Sequence, residues 1–271
     1  MIRPCDAAGA GGDHVTQIAW DADQYLEFGE HRTQPARDLI ARIPLAAPRR
    51  IVDLGCGPGN STEMLALRFP EAEVTGVDSS PEMLVQARHD YPETRWIEAD
   101  IAGWSSGGEH DLIFSNAALQ WVPDHATVFP ALLAELPPGG VLAVQMPRNF
   151  AAPNHALLRE TAAEPRWAAR MPDEARLMPV GEPGFYHDLL APRAARLDIF
   201  EIEYLHVMAG PEGIVEWMKG TGLRPFLQRL DASEHEDFLA SYLERLKQAY
   251  PRRASGQVLF PVRRIFLVAS R

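Results

Sequence analysis

Between residues 50 and 147, short apolar runs rich in β-branched residues alternate with amphipathic helical stretches, and no other feature constrains the fold of this chain as strongly. Arg50–Leu54, Glu73–Asp78, Arg95–Ala99, Asp111–Ser115 and Gly140–Met146 read as strands. Helices are expected from about Asn60 to Phe69, from Pro81 behind a Ser80 cap, and from Asp124 to Leu136. Such alternation predicts an α/β fold, a mostly parallel sheet with helices on both faces. Leu197–Val207 and Gln257–Ala269 return to strand character, and Pro261 in the second suggests an edge or a bulge. Gly210–Tyr250 reads as two or three helices. The connections between the fifth, sixth and seventh strands are long for simple crossovers, so they are expected to fold over the carboxyl edge of the sheet as a helical cap. The expected division is a flexible tail over 1–17, a core over 18–148 and 197–271, cap helices near 210–250 and a cap insertion over 149–196.

Composition removes several classes of function. The net charge of −11 arises in the N-terminal half, where residues 1–150 carry 10 Arg against 21 Asp and Glu. No basic stripe is present to follow a phosphate backbone, which argues against nucleic acid as a partner. No apolar run approaches the roughly 18 residues of a membrane span, and the first 17 residues lack the apolar region of a secretory signal. The two cysteines, Cys5 and Cys56, make no disulfide framework and have no metal-ligand spacing, so a reducing cytoplasm fits best. The expected partner is a small molecule, with the protein a monomer or a weak homo-oligomer.

The stretch V-D-L-G-C-G-P-G-N (52–60) places glycines at 55, 57 and 59 directly after the first strand. In open α/β sheets ligands bind outside the carboxyl ends of the strands, where the strand order reverses, and this loop occupies that position. The dinucleotide fingerprint needs G-x-G-x-x-G, whereas the sixth position here is Asn60. A phosphate loop is excluded because no G-K-[ST] follows. Three acids accompany the loop: Asp53 in the first strand, Asp78 at the end of the second and Asp100 at the end of the third. Asp78 is placed to accept both ribose hydroxyls of an adenosine, and Asp100 to face an adenine amino group.

D-L-G-C-G-P-G (53–59), V-D-S-S (77–80) and E-A-D-I (98–101) together resemble the class I S-adenosylmethionine-dependent methyltransferases, which implies a Rossmann-like, seven-stranded fold. Their donor carries an activated methyl group, so transfer depends chiefly on alignment. A hydroxyl or amine acceptor needs deprotonation, but a carboxylate is already ionised at neutral pH. The histidines, among them His110, His125, His155, His187 and His206, are scattered without ligand or dyad spacing, so neither a base nor a metal is expected. An acceptor that needs no base fits best.

From S-N-A-A-L-Q-W-V-P-D-H (115–125) onward the chain is similar to the trans-aconitate methyltransferase family. The similarity continues through L-A-V-Q-M-P (142–147), Y-x-H (204–206), W-M-K-G-T-G-L-R-P-F-L (217–227) and R-x-F-x-V-A (264–269), with W-D-A-D-Q-Y-L-E-F-G-E-H-R (20–32) upstream. The N-terminal extension departs from the family pattern, and a tyrosine pair near the cap is reduced to Phe185-Tyr186. The resemblance implies transfer of a methyl group from S-adenosyl-L-methionine to one carboxylate of trans-aconitate, leaving S-adenosyl-L-homocysteine. On the donor side it implies Tyr25 and Arg32 as a lid, with Asp53, Gly55, Gly57, Asn60, Asp78, Ser79, Met83, Asp100, Ile101, Asn116 and Trp121. Asn116 and Gln120 would position donor and acceptor. Gln120, Tyr186, Tyr204, His206, Arg224 and Arg264 would hold the polycarboxylate, the two arginines because their planar forks match carboxylates. Arg263 and Arg264 face opposite ways on a regular strand, so only one should point inward. Two other readings remain open at this level: another free carboxylate, such as a dicarboxyl thioester on a carrier protein, or a non-catalytic module that binds the donor.

Overall fold

The computed structural model describes residues 29–105, 107–171 and 180–271, with side chains described from Thr33 onward. Cys5, Tyr25, the side chain of Arg32 and most of the 20–32 motif lie outside the described residues. Helix α1 (Gly29–Ile40) precedes the sheet, followed by β1 (Arg50–Leu54), α2 (Asn60–Arg68), β2 (Glu73–Asp78), α3 (Pro81–Asp90) and β3 (Arg95–Glu98). Then come β4 (Leu112–Asn116), α4 (His125–Glu135), β5 (Val141–Pro147), α5 (Pro153–Ala162), α6 (Pro183–Leu190) and β6 (Arg196–Met208). Helices α7 (Pro211–Lys219), α8 (Arg224–Leu227) and α9 (Ala232–Ala249) lead into β7 (Val258–Ser270). The local signals are visible in the chain. Ser80 accepts the Met83 backbone N–H at 3.3 Å with Pro81 in the first turn, and Asp231 and Glu234 form a reciprocal capping box at α9.

The strands form one sheet in the order β3-β2-β1-β4-β5-β7-β6. β1 to β5 are parallel, and β7 runs antiparallel between β5 and β6. The order reverses at β1, between β2 and β4, which puts the glycine loop at the switch point. β6 and β7 pair in unbroken register from Arg196–Ser270 to Met208–Val258. Pro261 therefore sits opposite Leu205 without a bulge. It lies beyond the last β5 pair, Pro147 with Arg264, so one side of β7 is locally an open edge and the missing N–H is tolerated there.

Three apolar clusters share the interior. α1 and α2 cover one face of the sheet through Leu39, Ile40, Leu65 and Phe69. α4 and α6 cover the other through Phe129, Leu132, Tyr186 and Leu190. The third cluster is the cap, where α5, α7, α8 and α9 pack on the projecting ends of β6 and β7 through Trp217, Phe226, Phe238 and Phe260. Residues 183–190, expected within the cap insertion, thus pack against the sheet, because Tyr186 and Leu190 complete the apolar surface of α4.

The loop after β1 is fixed from below and from the side. Asp53 has no solvent exposure, and its Oδ2 accepts the hydroxyls of Ser61 at 2.6 Å and Thr62 at 2.7 Å, tying β1 to the first turn of α2. Gly55, Gly57 and Gly59 all hold left-handed backbones, with φ of 73°, 55° and 97°. Their surroundings differ. A Cβ on Gly55 would lie 2.1 Å from the Ala118 Cβ, and one on Gly59 would lie 2.8 Å from the Trp96 ring. A Cβ on Gly57 would meet nothing within 4 Å. Only Gly57 faces open space.

Two outcomes follow for stability. Gly55→Ala should lower unfolding stability in urea by on the order of 2–3 kcal/mol through overpacking plus left-handed strain, whereas Gly57→Ala should lose only about 1 kcal/mol from strain. For Asp53, burial pushes the carboxyl up to about 6 from 3.8, against the pull of the Ser61 and Thr62 hydroxyls, with Asp78 adding to the rise. The folded state therefore binds this proton more tightly than the unfolded chain. Its stabilisation is complete below about pH 4 and lost as pH rises through 6, on the order of 3 kcal/mol in all. Asp53→Asn should remove that component of the pH dependence when urea midpoints are compared from pH 4 to 7.5.

Candidate active site at the carboxyl edge of the sheet

The loop packs against the ends of β2 and β3. The Gly55 and Cys56 N–H groups both donate to the Val77 carbonyl, at 2.8 and 3.1 Å. Asp78, half-buried at the end of β2, accepts the Gly57 N–H through Oδ2 at 2.9 Å and the Ser80 N–H through Oδ1 at 2.8 Å. Burial raises its pKa, while backbone N–H groups of Ser80, Gly57 and Ser79 oppose the rise. Asp78 thus stands beside the one open glycine, with exposed Ser79 and half-buried Asn60 flanking it. Asp100 lies just past β3, exposed, and caps a short 3-10 turn by accepting the Ala102 N–H at 2.9 Å. Ile101 reaches toward the loop, its Cδ1 3.7 Å from where a Gly55 Cβ would stand. Asp53 and Met83 are buried, Asp53 beneath the loop and Met83 in the first turn of α3. Asp53 braces α2 through Oδ2, while its buried Oδ1 has no hydrogen-bond partner among the described residues.

β4 ends in a strained turn. Ser115 donates to the Leu54 carbonyl at 2.8 Å, locking β4 to β1 at the switch point. Ala117 then adopts φ 54°, a left-handed backbone that a non-glycine residue rarely holds, and its N–H donates to the Gln145 carbonyl at 2.9 Å. Gln120 donates through Nε2 to the Ala117 carbonyl at 2.7 Å. Buried Gln120 Oε1 and Asn116 Oδ1 have no hydrogen-bond partner among the described residues.

Beside this turn a cleft opens between sheet and cap. Ala117, Gln120 and Trp121 line it from the turn after β4; Pro147, Asn149, Phe150 and His155 from the end of β5, the loop after it and α5; Trp217, Met218, Thr221 and Gly222 from α7 and the turn after it; Val262 and Arg264 from β7. Arg264 is only 6% exposed and donates through Nη1 to Gln145 Oε1 at 3.4 Å. Arg263 points the other way, exposed, and pairs with Glu203 at 3.4 Å. The two side chains do alternate, and Arg264 is the one that points inward.

Four of the expected acceptor residues stand elsewhere. Tyr186 lies on the opposite face of the sheet with no solvent exposure. Its hydroxyl accepts the Gly181 N–H at 3.1 Å and donates to His125 Nδ1 at 2.8 Å, because His125 Nε2 is turned to the Leu119 carbonyl at 2.9 Å and must carry the ring proton. Burial pushes the Tyr186 phenol up to about 12 and His125 down. Tyr204 donates to Asp38 Oδ2 on α1 at 2.6 Å, so its hydroxyl ties β6 to α1. His206 is buried behind the cleft wall, its ring 4.8 Å from Trp217. Arg224 opens α8, three residues past Thr221, and does not line the cleft. Sequence reasoning missed His155, Asn149, Phe150 and Thr221. Thr221 lay within the motif that carried Arg224, and His155 was an isolated histidine with no spacing signal. Among the described residues no group of His, Cys, Asp and Glu has the arrangement of a metal site, and no helix is long and apolar enough to cross a membrane.

Residues 51–140 match a methyltransferase domain family. The trans-aconitate 2-methyltransferase of Azoarcus sp. (strain BH72) is 50% identical over 252 residues, covering 93% of this chain and 99% of the relative. That of Methylobacterium nodulans is 51% identical over 256 residues, covering 93% and 98%. Among solved structures, Haemonchus contortus phosphoethanolamine N-methyltransferase 2 in complex with S-adenosyl-L-methionine is similar with a TM-score of 0.57 and 16% identity, over 92% of this chain and 56% of that one. The fold is therefore the Rossmann-like class I methyltransferase fold. With half of its residues shared along nearly the full length of these relatives, the chain belongs to the trans-aconitate 2-methyltransferase family.

Proposed function

We propose that this chain uses S-adenosyl-L-methionine to esterify one carboxylate of trans-aconitate. The observation that carries the reading is Arg264, a guanidinium buried in the floor of a cleft that adjoins the carboxyl end of β4. A buried arginine needs anionic or polar partners, and its fork matches a carboxylate. On the donor side, Gly57 leaves open backbone beside the Asp78 carboxylate, and Asn116 Oδ1 is buried without a partner among the described residues. These features fit a ligand that brings hydroxyl and ammonium donors.

When bound, S-adenosyl-L-methionine supplies a methyl group already activated on a sulfonium. Asp78 accepts the ribose hydroxyls, Gly57 and Asn60 give close approach at the start of α2, and Ser79, Asp100 and Ile101 border the adenine. Asn116 and Gln120 align the two ligands at the end of β4, and Trp121 closes the side. Arg264 holds a carboxylate of the acceptor, while Phe150, Trp217 and Met218 exclude water from the reacting oxygen. That oxygen is already anionic at neutral pH, so the protein contributes alignment and desolvation and abstracts no proton. We read the acceptor as a free small molecule and the enzyme as a monomer or weak homo-oligomer of the reducing cytoplasm, where buried Cys56 remains a thiol.

The test is a methyl-transfer assay with labelled donor and a panel of acids. A base-labile monomethyl ester of trans-aconitate is expected; methylation of a malonyl thioester in its place would reject the substrate and keep the class. Asp78→Asn should weaken donor affinity measured by calorimetry by on the order of 1.5–3 kcal/mol, through loss of a charge-assisted hydrogen bond. Arg264→Lys keeps the charge without the fork, so it should raise the acceptor KM at least about tenfold while leaving donor affinity in place.

A further inference from the structure

Asn116, Gln145 and Arg264 stand side by side on three neighbouring strands, β4, β5 and β7. Asn116 is in register with Gln145, and Arg264 is in register with Pro147, two residues further along β5. Period-two alternation therefore puts all three side chains on one face of the sheet. Gln145 has no solvent exposure. Its Oε1 accepts from Arg264 Nη1 at 3.4 Å, and because a guanidinium only donates, this contact fixes which end of the carboxamide is which. The other end, Nε2, is a buried donor with no partner among the described residues. The Asn116 Oδ1, a buried acceptor, is in the same condition on the adjacent strand. The Gln145 main chain takes part as well, since its carbonyl holds the left-handed Ala117 at 2.9 Å. A buried donor and a buried acceptor without partners, at register positions of adjacent strands, are each costly, and a side-chain rotation that joined them would satisfy both.

We propose that Gln145 is a positioning residue that couples the methyl-donor site at Asn116 to the acceptor anchor Arg264, an inference that rests on the reading of the cleft given above. A ligand at the carboxyl end of β4 donates to one lone pair of the Asn116 amide oxygen and turns the other to Gln145 Nε2. The bond so formed holds Gln145 Oε1 against Arg264 Nη1 and fixes the guanidinium where the incoming carboxylate meets it. An occupied donor site therefore raises acceptor affinity, and by linkage the acceptor raises donor affinity by the same factor.

The test uses the full chain with S-adenosyl-L-homocysteine and trans-aconitate as probes. Calorimetry on the wild type should show trans-aconitate binding at least about fivefold tighter when S-adenosyl-L-homocysteine is saturating. Gln145→Met removes both arms at similar volume. Gln145→Glu keeps the bond to Arg264 but, as a carboxylate, has no donor arm. Both should still bind S-adenosyl-L-homocysteine, weakened by no more than the one bond to Asn116 that binding forms, and lose the tightening. In a nitrogen-labelled sample without acceptor, the Gln145 side-chain amide resonances, identified by their loss in Gln145→Met, should shift when S-adenosyl-L-homocysteine is added. Unshifted resonances, or variants that keep the full tightening, would overturn the coupling. Shifted resonances in an enzyme that binds no trans-aconitate would reject the proposed substrate and leave the link between Asn116 and Gln145 standing.

Discussion

Asp53 and the glycine turn above it set the geometry on which the rest of the site depends. The carboxylate sits without solvent at the end of β1 and draws the Ser61 and Thr62 hydroxyls onto one oxygen, which fixes where α2 starts. The turn between them has room for no side chain at Gly55, because the Ala118 methyl group from the β4 turn occupies that space. The glycine loop and the β4 turn thus pack closely on each other, beside the hydrogen bond from Ser115 to the Leu54 carbonyl. With the start of α2 fixed, Gly57 directs its N–H to Asp78 and leaves its other side open. The solvent-free Asp53 makes this arrangement sensitive to protonation, because the same burial that holds the loop raises the carboxyl to about 6.

The second constraint is the direction of β7. A parallel strand next to β5 would bring a different end of the last segment to the carboxyl edge. Running antiparallel, β7 enters the sheet from the cap, passes Val262 across the cleft and brings Arg264 to it as it joins β5 at Pro147. The same geometry lets the ends of β6 and β7 project past β5, where they carry the cap through Met208, Val258 and Phe260. Tyr204 reaches from this projecting hairpin to Asp38, so α1 is tied to the strand pair that carries Arg264. The cleft is consequently bounded by a sheet edge, a cap and a C-terminal strand that come from distant parts of the chain.

Much of this was legible before any coordinate. The parallel strands were readable because buried strands are nearly continuous apolar runs, and their ends fell within a residue or two of the expected positions. The positions of Asp78 at the end of β2 and Asp100 just past β3 were legible because those strands were. Alternation made legible that one of Arg263 and Arg264 faces inward, and the placement of β7 decided that it is Arg264. Tyr186 and His206 misled for one reason: a motif records that a residue is constrained without recording what constrains it. Tyr186 is held by His125 and Gly181 on the far face of the sheet, and His206 by aromatic packing. His155 and Thr221 carried no spacing signal, because the cap brings them to the cleft from segments with no regular relation to each other.

By itself the sequence determined what depends on near neighbours: strand and helix order, the glycine turn at Gly55–Gly59, the helix caps and the alternation that sends Arg263 and Arg264 opposite ways. Periodicity, backbone sterics and capping act over a few residues, so they are written in the chain directly. Tertiary structure alone decided which polar groups share a space. It set Gln145 between Asn116 and Arg264, turned Tyr204 to Asp38, and assigned the cleft to Thr221 and His155 in place of Arg224 and Tyr186. Those outcomes depend on strand neighbours and on the docking of a cap. Both are fixed by burial of apolar area across the whole molecule, a quantity that no local spacing encodes.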